Sequence, residues 1–308
     1  MKYSKILPVV VVPLLLVITS TIAYFTINKN WSYEISTYII FLFTALYILF
    51  FERIIPLKPH WEAKKNELWS DLKHLILSAS LFDALGKTAS LAIVIYLQQF
   101  FSTPFKVWND LPFIIVIIIA TILSELLPYF YHRISHIGNS NSLYSWFLWK
   151  IHSIHHLPTS LNWFKTSWIH PINIFLNTTL KMVPLLFLGF NDSIIFLVVV
   201  THIVIAYISH ANIKTKTGFL DYLITTPQIH HFHHSLILVE AKNFGNITPF
   251  WDLIFGTYYN RKGAVNQIGV IKNHIPFPKE KNYIHQLLFP FLKSSKKKVT
   301  TKHILNKS

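Results

Sequence analysis

The chain of 308 residues contains no cysteine. That absence excludes disulfides, thiolate zinc sites, iron–sulfur clusters and cysteine nucleophiles, so any metal must be held by nitrogen and oxygen. Charge is scarce as well. Asp, Glu, Lys and Arg together make up 13% of residues, about half the share of a typical soluble domain. So little charge cannot cover a water-facing globule of this length. Nor does the sequence show an internal repeat or a low-complexity stretch.

What fills the chain is apolar. Hydrophobic residues reach 52%, aromatic residues 16% and mean hydropathy +0.41, the composition of an integral membrane protein. Apolar runs at Ile6–Ile27, Ile35–Phe51, Leu75–Phe101, Leu111–Tyr131, Ile172–Phe190 and Ile194–Ser209 predict membrane helices, each near the length a bilayer requires. Asp83, Gly86 and Lys87 interrupt the third run, and residues 189–192 predict a short turn between the last two. With a cytoplasmic N-terminus, segments 52–74, 132–171 and 210–308 lie inside and carry most of the lysine and arginine, as the positive-inside rule requires. The net charge of +15 reflects that asymmetry. The basic residues sit in no nucleic-acid motif, so no nucleic-acid partner is expected. Residues 293–308, with the run Lys296 to Lys298, predict a disordered basic end.

The 17 histidines are not scattered. His132 and His136 form an HxxxH pair. His152, His155 and His156 form an HxxHH box, and His230, His233 and His234 repeat it. Residues three and four apart share a helix face, so each box presents its imidazoles to one side. Packing has no reason to choose imidazoles, and burying them unpaired costs free energy. Neutral imidazole suits iron, zinc, copper or nickel. Eight imidazoles exceed the four or so that one zinc takes, which points to more than one metal. All three boxes fall on the expected cytoplasmic side, where a lipid substrate and cytosolic electrons can both reach them.

The order HxxxH, HxxHH, HxxHH, with a hydrophobic hairpin before the last box, resembles the fatty acid hydroxylase/sterol desaturase superfamily. Flanking residues add to the likeness: Thr226 to Ser235 around the third box, His210-Ala211-Asn212 and Gly218 to Asp221 before it, and Asn243 to Asn246 and Trp251 to Thr257 after it. His170-Pro171, Glu52-Arg53 with Pro56, and Asp71 resemble further family segments. The interval from His136 to His152 is longer than in the family, and Gly138 to Ser142 reads as a flexible loop.

The resemblance implies an all-α polytopic membrane protein with four to six membrane helices and a cytoplasmic histidine-rich helical cap. It divides the chain into N-terminal helices (1–110), a hydroxylase-like domain (111–260) and a basic tail (261–308). It implies two iron ions, dioxygen, an external electron donor and hydroxylation or desaturation of a lipid. The implied ligands are His132, His136, His152, His155, His156, His230, His233 and His234, with His210 as a further one. His170 is implied either as a ligand or as a supporting partner. Asp221, Asn243, Asn246 and Asp252 are candidates for orienting imidazole N–H groups, against a competing role as caps and turn residues.

The tryptophans Trp146, Trp149, Trp163 and Trp168 read as a lipid lining or as an interfacial aromatic belt. His231 occupies a spacer position, and His60, His74, His202, His274, His285 and His303 lie outside the boxes and read as ordinary. A zinc-dependent membrane hydrolase is a competing class, but no box contains the glutamate base of an HExxH site, and Glu125 is two turns away from His132. A metal transporter would place ionisable groups at mid-bilayer, whereas these crowd at one interface.

Overall fold

The computed structural model describes residues 3–65, 67–101, 108, 110–138, 142–271 and 276–292. The expected basic end at 293–308, His274, His303 and residues 139–141 of the expected loop lie outside the described residues. Among the described residues the fold is helical throughout, with only isolated β-bridges such as Pro56 to Ile213.

Five helices are long and apolar enough to cross a bilayer. They are α1 (Tyr3–Asn28), α2 (Tyr33–Ile54), α3 (Leu68–Leu97), α4 (Phe113–Ser135) and α7 (Asp192–Ser209). The protein is therefore an integral membrane protein. Between them lie α5 (Leu143–His156) and α6 (Pro171–Phe187), followed by the short helices α8 (Pro227–His233), α9 (Phe250–Ile254) and α10 (Tyr283–Leu288). Helix α6 is apolar but only 17 residues long. At ~1.5 Å per residue this is the short end of the range for a span, and the segment beyond its C-terminus packs beside the start of α4, where Phe190 stacks on Trp108 at 4.5 Å. Helix α3 begins seven residues before the expected Leu75, because Asp71 in its first turn is neutralised by Lys165 at 2.6 Å. Its turns over His74–Ser80 are π-helical.

Two apolar cores hold the helices together. Val11, Leu15, Ile40, Ile48, Val204 and Ile208 join α1, α2 and α7, while Val116, Ala120, Met182, Leu185 and Val198 join α4, α6 and α7. Within a bilayer such contacts hold helices together by van der Waals packing, since lipid tails are as apolar as the core itself. Polar pins then fix the cap to the bundle. Glu52, at the end of α2, accepts hydrogen bonds from the amides of Trp163 and Asn212, both at 2.9 Å. Lys165, buried in the cap, is held by Asp71 and by Glu67 at 3.2 Å. Removing one partner of a buried pair leaves an uncompensated charge, a loss of about 3–5 kcal/mol. The Glu52 and Asp71 motifs thus set where the cap sits over the helix ends.

Candidate metal centre

Each box is placed by ordinary helix chemistry. His132 and His136 close α4, the second at its C-terminal cap. Ser142 caps α5 by accepting from the Ser145 amide at 3.3 Å, and the second box occupies the last turn of that helix. His210 stands one residue past α7. Helix α8 starts at Thr226-Pro227, with proline at a position where its missing N–H costs nothing. Asp221 accepts the Thr226 hydroxyl at 2.6 Å and steadies that start.

These elements bring nine histidines into two groups. One contains His132, His136, His152, His156 and His233; the other contains His155, His210, His230 and His234. Within each group the nearest ring nitrogens lie within 4.8 Å of one another. In the first, the Nε2 atoms of His132, His136 and His156 lie 3.1, 3.0 and 3.0 Å from His152 Nε2. In the second, the Nε2 atoms of His155 and His230 lie 3.1 and 3.0 Å from His210 Nε2. The groups abut, with the His156 and His234 rings 4.4 Å apart.

The boxes do not map one to one onto the groups. On a helix, residues i and i+4 are about 40° apart, and i+3 lies about 60° to the other side. His152 and His156 accordingly join the first group while His155 joins the second. His230 and His234 join the second group while His233 joins the first. One HxxHH box therefore serves both halves.

Backbone carbonyls decide which nitrogen faces inward. The Nδ1–H of His132 donates to the Phe244 carbonyl at 2.7 Å, that of His233 to Lys242 at 2.8 Å and that of His210 to Ala206 at 2.9 Å. His155 Nδ1–H donates to Trp168 at 3.2 Å. A carbonyl can only accept, so each of these rings carries its proton on Nδ1 and points an Nε2 lone pair into its group. His155 and His210 thus aim two lone pairs at each other across 3.1 Å with no proton between them, an arrangement that a cation would relieve. His152 Nδ1, His230 Nδ1 and His233 Nε2 are buried without a partner.

Burial, reinforced by neighbouring imidazoles, holds His152, His156, His210, His230, His233 and His234 well below the usual histidine range. Burial pushes His155 down to about 4. Neutral rings are the metal-binding form. Nine imidazoles without thiolate or carboxylate fit a pair of first-row transition metal ions.

A loop after α8 supports the first group. Asp252 accepts the amides of Phe244 and Gly245, both at 2.8 Å. Glu125, fully buried in α4, accepts the amides of Asn246 and Ile247 at 2.6 and 3.0 Å. Two carboxylates thus clamp four consecutive amides and fix the Phe244 carbonyl against His132. Thr257 donates to Asp252 at 2.6 Å, and Tyr129 meets Thr257 at 2.7 Å. Gly245 is required here, since a Cβ would stand 2.1 Å from the Thr248 carbonyl.

The remaining candidates sit around the groups, not in them. His170 caps α6, its Nδ1 accepting from the Ile172 amide and its Nε2 donating to the Leu287 carbonyl, both at 3.1 Å. Asn243, at φ 62°, bonds the Ile229 and Tyr259 carbonyls and the Tyr259 amide. The Asn246 side-chain amide nitrogen is buried and unpaired. None of Asp221, Asn243, Asn246 and Asp252 bonds an imidazole of either group, because backbone amides, carbonyls and hydroxyls occupy the first two and Asp252. His231 packs edge-on to Trp61.

Two contributors escaped the sequence reading. His74 stacks on Trp168 at 4.5 Å, behind the carbonyl that holds His155, and its place outside every box gave no local signal. Glu125 was visible as an acid inside an apolar span, a position that marks function by default. Its actual partners, the amides of residues 246 and 247, could not be read from spacing. His202 lies 3.5 Å from it.

Comparison with known proteins agrees with this architecture. The sequence profile described as Fatty acid hydroxylase matches residues 117–257. The chain is 26% identical over 270 residues to the ornithine lipid hydroxylase OlsE of Rhizobium tropici, covering 86% of this chain and 78% of that protein. It is 26% identical over 223 residues to the very-long-chain aldehyde decarbonylase GL1-7 of Oryza sativa subsp. japonica, covering 62% of this chain and 34% of that protein. No solved structure matches the chain. The segment matched by the Fatty acid hydroxylase profile contains all nine grouped histidines, so the chain carries an oxidoreductase domain similar to those of the fatty acid hydroxylase/sterol desaturase superfamily.

Proposed function

We propose that the protein is a membrane-bound di-iron lipid hydroxylase whose centre and C-terminus face the cytoplasm. The observation that supports this reading most is the convergence of two abutting groups of neutral imidazoles at the ends of membrane helices, within the matched domain. Nine nitrogen donors are too many for one four-coordinate zinc. Bound iron would supply dioxygen activation and cleavage of an unactivated C–H bond, chemistry that no side chain here provides.

The overall reaction takes R–H, dioxygen, two electrons and two protons to R–OH and water. The electrons come from a separate redox protein or a small reductant. The chain's own part is positional. Carbonyl acceptors fix the inward-facing nitrogen of His132, His155, His210 and His233, burial keeps the rings neutral, and the apolar cap keeps bulk water from the reacting carbon. The name of the bacterial relative makes an ornithine lipid the first substrate to assay.

The test uses full-length protein purified in detergent and returned to lipid nanodiscs. About two irons per chain are expected, with a mass gain of one oxygen on the lipid when reductant and air are supplied. About one zinc per chain, with no lipid oxidised, would sink the proposal.

A further inference from the structure

Helix α4 is a membrane span of 23 residues, and residues from its interior hold the loop that follows α8. The Trp251 indole N–H donates to the Ile122 carbonyl at 2.9 Å. Glu125 takes the amides of Asn246 and Ile247. Phe255 stacks on Tyr129 at 5.6 Å and packs on Phe130 at 5.1 Å. Ile122 stands near the midpoint of α4, about 20 Å from its Ser135 end at ~1.5 Å per residue. The loop leaves the level of the histidine groups at Phe244, whose carbonyl holds His132. It runs back along the span as far as Ile122 and returns at Thr257, beside Tyr129.

Water satisfies the amides of an ordinary surface loop. Hydrocarbon cannot, and irregular backbone persists at membrane depth only where it is buried in protein. The non-helical part of this loop meets that condition. Phe244, Gly245, Ile247 and Pro249 are buried, and the four amides from 244 to 247 all end on the carboxylates of Asp252 and Glu125. The Gly245 carbonyl accepts the Thr225 hydroxyl and the Ile247 carbonyl accepts the Thr225 amide, both at 3.0 Å. An apolar face opens only where the chain becomes helical. Leu253 and Ile254 on α9 are 44% and 55% exposed, and Phe255 at its end is 39% exposed, while Asp252 points inward and is fully buried. Through the contact of Phe255 with Phe130, this face continues the lipid-facing side of α4, on which Leu127 and Phe130 are exposed.

The geometry points to a re-entrant segment: residues 244–257 dip into the bilayer beside α4, and α9 presents Leu253 and Ile254 to lipid acyl chains. Such a dip is independent of the proposed reaction. It explains why two buried carboxylates serve backbone amides, since no solvent is at hand to do so. It also anchors in the hydrocarbon the segment whose carbonyl orients His132.

The chain has no cysteine, so a single label can be placed at will. Full-length protein carrying Ile254→Cys is labelled with a nitroxide and reconstituted in phosphatidylcholine liposomes. Power-saturation EPR then compares access of oxygen, which concentrates in hydrocarbon, with access of nickel-EDDA, which stays in water. Ile118→Cys, at a 48% exposed position on α4, is the bilayer reference, and Lys64→Cys, at a side chain 60% exposed, is the aqueous one.

The oxygen-to-nickel ratio at position 254 should match that at 118 within about twofold and exceed that at 64 by about fivefold or more. A ratio nearer that at 64 would overturn the re-entrant segment. Poor access of both reagents, as beneath a second protein chain, would overturn the contact with lipid. Leu253→Cys gives the same reading if Ile254→Cys does not fold.

Discussion

The five-histidine and four-histidine groups are built from different material. The first hangs His132 and His136 on the last turn of a membrane helix and keeps one member half-buried. The second takes His155, His230 and His234 from the cap and His210 from just beyond α7, and all four are buried. Their supports differ as well. Glu125 and Asp252 clamp the loop behind the first group, while the second leans on the carbonyls of Trp168 and Ala206. On the proposed reading this asymmetry divides the labour. The half with the half-buried His136 is the less enclosed of the two. The half with fewer donors would leave a bound ion more room for an exogenous ligand.

Removing the hub of each group breaks the comparison most forcefully. His152 touches three other Nε2 atoms of its group, and His210 touches two of its own. His152→Ala and His210→Ala should each lower lipid oxidation by at least about 100-fold. Metal analysis then separates two architectures. Retention of about one iron in each variant means that the groups load independently. Loss of both irons in either variant means that they form a single cooperative cluster, and the division of labour above would be wrong.

The clamp should have the next largest effect, and on one side only. Asp252→Ala frees the amides of Phe244 and Gly245 and loosens the carbonyl on His132. A 10- to 100-fold weaker metal affinity is the usual scale for losing such outer support, and it should appear in one of two binding phases of a cobalt titration. Glu125→Ala should act in the same direction, since a buried amide left unpaired costs about 1–3 kcal/mol. Glu125→Gln should be mild, because one amide oxygen can still accept from both Asn246 and Ile247. Equal weakening of both phases would show that the loop supports the whole cluster and not the first group alone.

The boxes were legible because helical spacing alone puts i, i+3 and i+4 on one face, and every boxed histidine lies in one of the two groups. The partition of each box was legible in principle from the same angles, although nothing in the pattern said that two centres straddled one helix. The supports were not legible. Orientation of His132, His155, His210 and His233 by main-chain carbonyls leaves no mark on residue identity, so side chains such as Asn243 and Asp252 stood out in their place. The apolar run over α6 continues through the turn to Phe190, whereas the helix itself stops at Phe187 before Gly189 at φ +72°, so composition overstated its length.

The smallest effect separates structural histidine from grouped histidine. Burial pushes His170 down to about 4, against an ordinary value of about 6.5. A depressed histidine contributes stability that is present above about pH 6.5 and lost as pH falls toward 4, because the unfolded chain takes up the proton first. The neutral ring is required here, since Nδ1 must accept the Ile172 amide at the start of α6. Metal-free protein should therefore melt at lower temperature at pH 5 than at pH 7.5, by up to about 1.4 kcal/mol per pH unit for this residue. His170→Ala should remove part of that slope and about 1 kcal/mol of stability at neutral pH. His170→Asn, which can still cap, should recover the latter but not the former. Both variants should keep the wild-type iron content. An iron lost from either one would instead place His170 among the ligands and give the four-histidine group its fifth donor, erasing the difference in count between the two halves.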